Sequence, residues 1–174
     1  MLETERLALR PVRPDDVDAF LEFAGDRQVM EATGDVPGGR ELAAELVERW
    51  VSRWERNGVG PFVVELDGEV IGRTGLLVWD DRTWRTTSYA DAGEHAESEL
   101  GWAISSRFWG HGYATEAARA VREWAYAERG IERLISLIDP ANVRSVRVAV
   151  KLGATPEQMV DLGYGPTVVW VHPR

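Results

Sequence analysis

Apolar and polar positions alternate along the chain with two different periods, and the order of these periods predicts the order of the elements. A period of two over residues 5–13 predicts a first strand with Leu7 and Leu9 on one face. A proline followed by two acidic residues then opens a helix that ends at Gly25. A longer helix is predicted over about residues 39–57, and its apolar stripe consists of Leu42, Leu46, Val47, Trp50 and Trp54.

The pattern after this helix predicts a hairpin and then alternating strands and helices. Strands at 61–66 and 69–78 flank Asp67-Gly68, a strong hairpin signal. Residues 79–96 are polar without a pattern, and a connection of that length is either functional or mobile. The remaining predicted elements are a strand at 97–104, a helix to about Arg129, a strand at 131–138, a helix from Asn142 to Leu152 and a final strand within 163–173. The whole order predicts a single α/β domain over residues 1–174.

Composition excludes several classes of function. The chain has no cysteine, which excludes disulfides, thiolate catalysis and cysteine-based zinc sites. Its three histidines, His95, His111 and His172, are scattered, so no metal site is expected. The net charge of −9 argues against a nucleic-acid partner, because such binding depends on neutralising phosphates. The acidic balance would suit a cationic substrate, although acidic surfaces commonly serve solubility alone.

The distribution of apolar residues gives an expectation about location. No stretch approaches the roughly 20 apolar residues that a membrane helix requires. The charged N-terminal segment has no apolar run after it, unlike a signal peptide. We therefore expect a cytoplasmic protein without membrane association.

One segment indicates a binding site for an anion. The sequence RFWGHGYATEAARAV, residues 107–121, places Gly110 and Gly112 at the start of a predicted helix. Glycine costs a helix about 1 kcal/mol relative to alanine, whereas the first N–H groups of a helix are free to bind a phosphate. A dinucleotide fingerprint of the Rossmann type is disfavoured, because Thr115 stands at its third glycine and too few residues follow for its sheet. A tight turn with a purely structural role is the other alternative.

The spacing Arg107-x-x-Gly110-x-Gly112, followed by YATEA, resembles the coenzyme A pyrophosphate loop of the GNAT N-acetyltransferases. The form W-G-x-G-Y-A-T-E-A is especially similar to their RimJ/RimL-like branch. The resemblance extends over nearly the whole chain, through TERLALRPVRPDDVDAF (4–20), ELGWAIS (99–105) and NVRSVRVAVKLGA (142–154). It implies the GNAT fold, a mixed, mostly antiparallel central sheet flanked by about four helices. In that fold the strands at 97–104 and 131–138 splay apart like a V.

The resemblance also implies an activity and a cosubstrate. The chain is expected to move an acetyl group from acetyl-CoA to a primary amine by direct attack in a ternary complex, without a metal. The amine would belong to a protein N-terminus, an amino acid or a small molecule. Residues 102–104 would pair with the pantetheine arm, and the amides of 108–115 would bind the pyrophosphate. Asn142 would contact the pantetheine, and it also suits a helix N-cap. The predicted cofactor-binding residues are Trp102, Ala103, Ile104, Arg107, Phe108, Trp109, Gly110, His111, Gly112, Tyr113, Ala114, Thr115 and Asn142.

The chemistry of acetyl transfer points to two glutamates. The attacking amine must be neutral, so a base is needed, together with a donor for the oxygen that gains charge. Alternation along 97–104 places Glu97 and Glu99 on one face. Two neighbouring carboxylates raise the pKa of one of them, which favours Glu99 as the base, acting through a water, with Glu97 as the second choice. The alternative is that both are solvated strand residues. A backbone N–H near Trp102 would polarise the thioester carbonyl.

The last helix departs from the wider superfamily, in which a tyrosine acts as general acid two residues before the lysine of Y-x-K-L-G-F. Ala149 stands at that position, and Val150 stands where the branch usually has glutamate. The branch carries a serine in N-x-x-S, which Ser145 matches. The resemblance therefore makes Ser145 the proton donor to the CoA thiolate, whereas a solvated serine in the first helical turn is the plainer interpretation.

The rival function is a non-catalytic acyl-CoA-binding or regulatory module, which would keep the glycine turn and lose the base and the acid. Retention of Glu99 and Ser145 favours the enzyme. The sequence does not define the acceptor. Three alternatives remain open for the 79–96 connection, which contains Trp79, Trp84 and Tyr89. It covers the acceptor side of the site, it is disordered, or it forms a homodimer contact.

Overall fold

A computed structural model of the chain describes residues 1–163 and 165–174. The described residues form nine strands: β1 (Leu2–Glu3), β2 (Leu7–Pro11), β3 (Pro61–Leu66), β4 (Glu69–Asp80), β5 (Arg85–Thr86), β6 (Ala96–Ile104), β7 (Leu134–Ile138), β8 (Thr155–Asp161) and β9 (Pro166–Val171). Their helices are α1 (Leu21–Gly25), α2 (Arg27–Thr33), α3 (Arg40–Asn57), α4 (Tyr89–Ala92), α5 (Tyr113–Ala127) and α6 (Val143–Lys151). None of these helices combines the length and the apolar character needed to cross a bilayer.

All the strands belong to one sheet, in the order β1-β2-β3-β4-β6-β7-β9-β8, with β5 paired to β4. Only β6 and β7 run parallel to each other among the described pairs. The mixed, mostly antiparallel sheet expected from the resemblance is thus confirmed.

The pairing of β4 with β6 decides which side chains face which helices. Leu77 lies opposite Glu99 in this antiparallel pair. Two apolar clusters cover the two faces of the sheet. Ala103 packs with the buried residues of α1, α2 and α3, whereas Leu100 and Ile104 pack with those of α5. The predicted alternation along 97–104 is therefore confirmed, and it turns Glu99 away from the α5 core.

The parallel strands β6 and β7 pair over a short distance and then separate. Their last pair in the described residues joins Glu99 to Ile135. Beyond it, the hydroxyl of Ser136 on β7 reaches across and donates a 2.6 Å hydrogen bond to the carbonyl oxygen of Leu100. The expected V-shaped splay is confirmed, and Glu99 lies at its apex.

A hydrogen-bonded pair of buried polar residues, Ser136 and His172, lies next to this apex. Ser136 Oγ lies 2.8 Å from His172 Nε2, and both residues are buried. Burial lowers the pKa of His172 to about 4, so its imidazole is neutral near pH 7. Because the serine proton goes to the Leu100 carbonyl, Nε2 must carry the imidazole proton and donate to Ser136. The other ring nitrogen is then an acceptor, and it has no hydrogen-bond partner in the described residues.

The region before α3 differs from the prediction. The helix expected to end at Gly25 is a 3-10 turn at Pro14–Val17 followed by α1, and α2 was not predicted. Asp26 separates α1 from α2, since its extended backbone ends α1 and its side chain accepts hydrogen bonds from the N–H groups of Gln28 and Val29. This N-cap starts α2 directly after the predicted helix end at Gly25.

Three further elements, β5, α4 and β8, lie outside the predicted pattern. The 79–96 connection is ordered, because β4 extends to Asp80 and β5 and α4 follow. Strand β8 was not predicted, since most of its residues are exposed and give little apolar alternation. The final strand expected within 163–173 is confirmed as β9, although Tyr164 lies outside the described residues. The described chain thus has six helices rather than the expected four or so.

Candidate active site

Two cavities meet at Trp102, Asn142 and Ser145. The first, which we call the glycine-turn cavity, has a volume of about 340 Å³ and lies between the segment leading into α5, the end of β6 and one face of α6. The second, which we call the Glu99 cavity, has a volume of about 420 Å³ and lies among α2, β4, β6 and β7. The splay of β6 and β7 creates the opening that the two cavities share.

The glycine-turn cavity is lined by a backbone shaped to present N–H groups. Gly110 and Gly112 have φ angles of +88° and +86°, in the left-handed region that favours glycine. Added Cβ atoms would meet nothing closer than 3.7 Å, so backbone conformation rather than space requires these glycines. Gly112 is the N-cap of α5, and no described side chain caps the helix. The amides of residues 113–115 therefore have no partner within the helix and lie at its positive end.

The N-terminal segment supports this turn from behind. Arg6 Nη1 donates a 3.1 Å hydrogen bond to the carbonyl oxygen of His111, and its guanidinium lies 4.5 Å from the ring centroid of Tyr113. Glu116 pairs with Arg6 at 2.5 Å and accepts a 2.6 Å hydrogen bond from Thr4 Oγ1. The glutamate of the YATEA motif thus ties the turn to the start of the chain rather than facing the cavity.

The structure brings most of the predicted cofactor-binding residues together. Those that line the glycine-turn cavity are Trp102, Ala103, Ile104, Phe108, Trp109, Gly110, Gly112, Tyr113, Ala114, Thr115 and Asn142. The side chain of Arg107 instead forms ion pairs with Glu22, at 3.2 Å, and with Glu69. The ring of His111 stacks on Tyr113 with centroids 5.6 Å apart. Neither Arg107 nor His111 lines the cavity.

Three cations of α6 line the same cavity, and the sequence analysis missed them. They are Arg144, Arg147 and Lys151. Their spacing of three and four residues places them on one face of the helix, and this spacing could have identified them. The guanidinium of Arg144 lies 4.3 Å from the ring centroid of Trp109, next to the glycine turn. Positive charge therefore faces the cavity from α6 as well as from the start of α5.

Glu99 is a buried carboxylate with one short hydrogen bond. Its residue is only 8% exposed, and Trp79 Nε1 donates to its Oε2 at 2.5 Å. Burial raises the pKa of Glu99 above its usual value, whereas the Trp79 hydrogen bond and the charges of Arg73 and Arg53 act in the opposite direction. A carboxylate with a raised pKa is a stronger base than a solvated one.

Glu97 has a different environment. Its carboxylate forms an ion pair with Arg133 Nε at 3.0 Å, and Arg133 also pairs with Glu157 at 2.6 Å. Glu97 lines neither cavity. The prediction that a neighbouring carboxylate raises the pKa of Glu99 is wrong, since burial is the cause and Glu97 is neutralised by Arg133.

The splay leaves one edge of β6 facing the opening. The carbonyl of Leu100 points across it to Ser136, so alternation along the strand directs the backbone groups of Trp102 and Ile104 to the same edge. The indole N–H of Trp109 donates to the Ile104 carbonyl at 2.7 Å. The N–H of Trp102 consequently faces the junction of the two cavities.

Asn142 and Ser145 mark this junction on α6. Asn142 Oδ1 accepts a 3.1 Å hydrogen bond from the Ser145 N–H, which confirms the predicted N-cap. Ser145 lines both cavities. Ala149 is fully buried against β7, and Val150 is exposed outside both cavities. The position that the resemblance assigns to a tyrosine in the wider GNAT superfamily therefore offers no proton donor here.

Among the predicted aromatic residues of the 79–96 segment, only Trp79 reaches the Glu99 cavity. Tyr89 instead makes a 2.8 Å hydrogen bond with Ser98. Trp84 has a φ of +51° at the turn between β4 and β5 and lines neither cavity. The segment thus contributes one side chain to the Glu99 cavity, at its first residue.

Comparisons with known proteins agree with this geometry. Residues 6–155 match the family model described as an acetyltransferase (GNAT) domain. The N-acetyltransferase YnaD of Bacillus subtilis is 29% identical over 156 residues, covering 90% of this chain and 83% of that protein. An acetyltransferase structure from Agrobacterium tumefaciens is 27% identical, with a TM-score of 0.79 over 99% of this chain and 94% of the other. The aminoglycoside acetyltransferase AAC(6')-Ib in complex with coenzyme A, 20% identical, shares the fold with a TM-score of 0.76 over 97% and 95% of the two chains. The chain belongs to the GNAT family, whose members transfer an acetyl group from acetyl-CoA to an amine.

Proposed function

We propose that this GNAT enzyme is an N-acetyltransferase of the RimJ/RimL-like type that acetylates a primary amine within a ternary complex. The observation that carries the proposal is the junction of two cavities at the free edge of β6. One cavity presents amides and cations, and the other presents a buried carboxylate. Acetyl-CoA would enter from the first and the amine from the second, so that both reach Trp102 and Ser145.

The glycine-turn cavity fits the chemistry of coenzyme A. The amides of residues 113–115 and the cations of α6 complement its phosphates, because both concentrate positive charge where no described carboxylate lines the cavity. The backbone edge at Trp102 is suited to the amide groups of the pantetheine arm. Acetyl-CoA supplies the thioester carbonyl that the amine attacks.

The Glu99 cavity provides the base. As the N–C bond forms and the C–S bond breaks, Glu99 accepts the proton that the amine loses, directly or through a water. The Trp79 hydrogen bond fixes the carboxylate in position. The Trp102 N–H stabilises the carbonyl oxygen as it gains charge, and the Ser145 hydroxyl passes a proton to the departing thiolate while it takes one up from solvent.

A screen for thiol release tests the proposal. Acetyl-CoA is mixed with peptides, amino acids, polyamines or aminoglycosides, and free CoA is measured with wild type and with Glu99→Gln. We expect release with at least one class, and strong loss in the variant. Acetyl-CoA should also raise the melting temperature, and NAD should do so much less. Binding of acetyl-CoA without release for any amine would identify a non-catalytic acyl-CoA-binding module instead.

A further inference from the structure

The Glu99 cavity contains an arginine that the proposed transfer chemistry does not use. Arg73 lies on β4 opposite Ala103 and lines this cavity. Its guanidinium lies beside Gly101, where an added Cβ would come within 3.2 Å of Arg73 Nη1. A glycine in the middle of β6 therefore leaves the space that the guanidinium occupies.

This guanidinium lacks a partner of opposite charge. In the described part of the chain, no carboxylate oxygen lies within 4.0 Å of its nitrogens, and its buried Nε has no hydrogen-bond partner. The ring of Trp50, 5.8 Å away, is its aromatic neighbour. Arg73 is half-buried, and a cation that is partly withdrawn from water without a hydrogen-bonded partner is unfavourable. Such an arrangement is expected where a ligand supplies the missing anion.

The charged groups around Arg73 do not neutralise its guanidinium. Arg53 on α3 adds positive potential, and its pKa is lowered to about 10 by burial and by the nearby charges of Arg73 and Arg49. The carboxylates of Glu99 and Asp35 act on Arg73 without forming an ion pair with it. Glu99 already accepts the Trp79 hydrogen bond. The terminal Nη1 and Nη2 groups of Arg73, unlike its buried Nε, thus remain available to the cavity.

The positions of Arg73 and Glu99 suit a substrate that carries one positive and one negative group. Arg73 reaches Gly101, which lies two residues along β6 from Glu99 on the same face. Two residues of a strand span about 7 Å. An ammonium group directed to Glu99 and a carboxylate directed to Arg73 would fit this separation. We propose that the acceptor is an amino acid or a closely similar amine, whose carboxylate binds Arg73 while its amine faces Glu99.

This proposal rests on the acetyltransferase function and narrows it. It disfavours polyamines and aminoglycosides, which carry no anion, and peptide N-termini, in which the corresponding carboxyl group is an amide. Arg73 would be a specificity-determining residue that contacts the substrate, distinct from the base.

Matched acceptors test the proposal by kinetics. Acetylation of several amino acids is compared with that of their carboxamides and decarboxylated amines. We expect wild type to favour the free acids at least tenfold in kcat/KM. Arg73→Gln should lower kcat/KM for the acids by about 10²-fold, as expected for loss of a charge-assisted contact, and lower it far less for the carboxamides. Both are measured at a pH well above the pKa of Glu99, because loss of the Arg73 charge also raises that pKa. Arg73→Lys should restore part of the preference. Equal use of acids and carboxamides by wild type, or an equal loss in Arg73→Gln, would overturn the proposal.

A binding experiment decides the question without turnover. N-acetyl amino acids and their carboxamides are titrated into the enzyme–CoA complex by calorimetry. The acids should bind more tightly to wild type, and the difference should disappear in Arg73→Gln while CoA affinity is unchanged. Equal affinities in wild type would refute the carboxylate contact. Acetylation of amines that lack a carboxylate, but not of amino acids, would refute the carboxylate contact and leave the transferase function intact. Failure of every amine in the presence of bound acetyl-CoA would instead refute the transferase function.

Discussion

The two cavities that meet at Trp102 are built in opposite ways. The glycine-turn cavity takes much of its chemistry from backbone amides of one continuous segment, residues 108–115, with support from Arg6 and Glu116. The Glu99 cavity takes its chemistry from side chains of β4, β6 and β7 that are far apart in the sequence. The first kind of site is encoded by a local pattern, whereas the second exists only after the sheet has formed.

The two cavities also differ in the sign and the burial of their charged groups. The glycine-turn cavity concentrates charge of one sign, from the start of α5 and from the exposed cations of α6. The Glu99 cavity holds a buried carboxylate and the half-buried Arg73, which do not form an ion pair with each other. Substitutions in the first should therefore change cosubstrate affinity, and substitutions in the second should change turnover and acceptor choice.

The largest effect is expected for Gly112→Asp. The residue has a φ of +86°, and the new carboxylate would lie at the positive end of α5, where the pyrophosphate would bind. We expect the affinity for acetyl-CoA to fall on the order of 10³-fold, because strain and charge repulsion add. Calorimetry measures this change. Gly68→Asp is the matched control, since Gly68 has a φ of +82° in the β3–β4 turn and lines neither cavity. Equal affinities of the two variants would show that the glycine turn is only structural.

Glu99→Gln should act on the other cavity. We expect kcat to fall by about 10²-fold, the low end for removal of a positioned base, while the affinity for acetyl-CoA is unchanged. The melting temperature should not fall, because glutamine keeps the Trp79 contact and removes a buried charge. Glu97→Gln is the control and should retain most of the activity, since Glu97 pairs with Arg133 outside the cavity. Full turnover in Glu99→Gln would contradict the assignment of Glu99 as the base. A loss of turnover in Glu97→Gln alone would assign that role to Glu97.

Arg147→Gln tests the contribution of α6 to the glycine-turn cavity. We expect a weakening of acetyl-CoA binding of about tenfold at low salt, and less at 1 M salt, because the arginine is exposed and its charge is screened. Affinity measured at two ionic strengths checks this. Arg119→Gln removes an exposed arginine of α5 that lines neither cavity, and it should bind acetyl-CoA like wild type. A matching loss in Arg119→Gln would indicate a general effect of net charge.

The smallest effect is expected at the junction itself. Ser145→Ala should lower kcat by roughly threefold to tenfold, since water can replace a hydroxyl as proton donor to a thiolate. The affinity for acetyl-CoA should change little, because Asn142 still caps α6 through the backbone N–H of residue 145. Steady-state kinetics with Ser145→Thr as the hydroxyl-keeping control completes the test. Equal loss in both variants would assign Ser145 a packing role.

The same contrast explains what the sequence could predict. Long periodic segments such as α3 and α5 were predicted within two residues or so, because their buried stripes dominate the pattern. Helix α2 and strand β8 were missed, because one depends on the Asp26 cap and the other is mostly exposed. Arg107 fits the family spacing, yet its side chain pairs with Glu22 and Glu69.

The Glu99 cavity was less predictable than the glycine-turn cavity. The position of Glu99 follows from strand alternation, but its burial beneath Trp79 and the presence of Arg73 depend on the register between β4 and β6. That register joins residues 16 to 32 positions apart, and no local pattern specifies it.

The pH dependence of kcat tests the assignment of Glu99 most directly. Because burial raises the pKa of Glu99, the base is protonated and inactive at low pH, and kcat should rise as pH increases through that pKa. The midpoint should stay the same for acceptors whose amines have different pKa values, and the rise should be absent in Glu99→Gln. A rise that persists in Glu99→Gln, or whose midpoint follows the pKa of the acceptor amine, would contradict the role of Glu99 as the base.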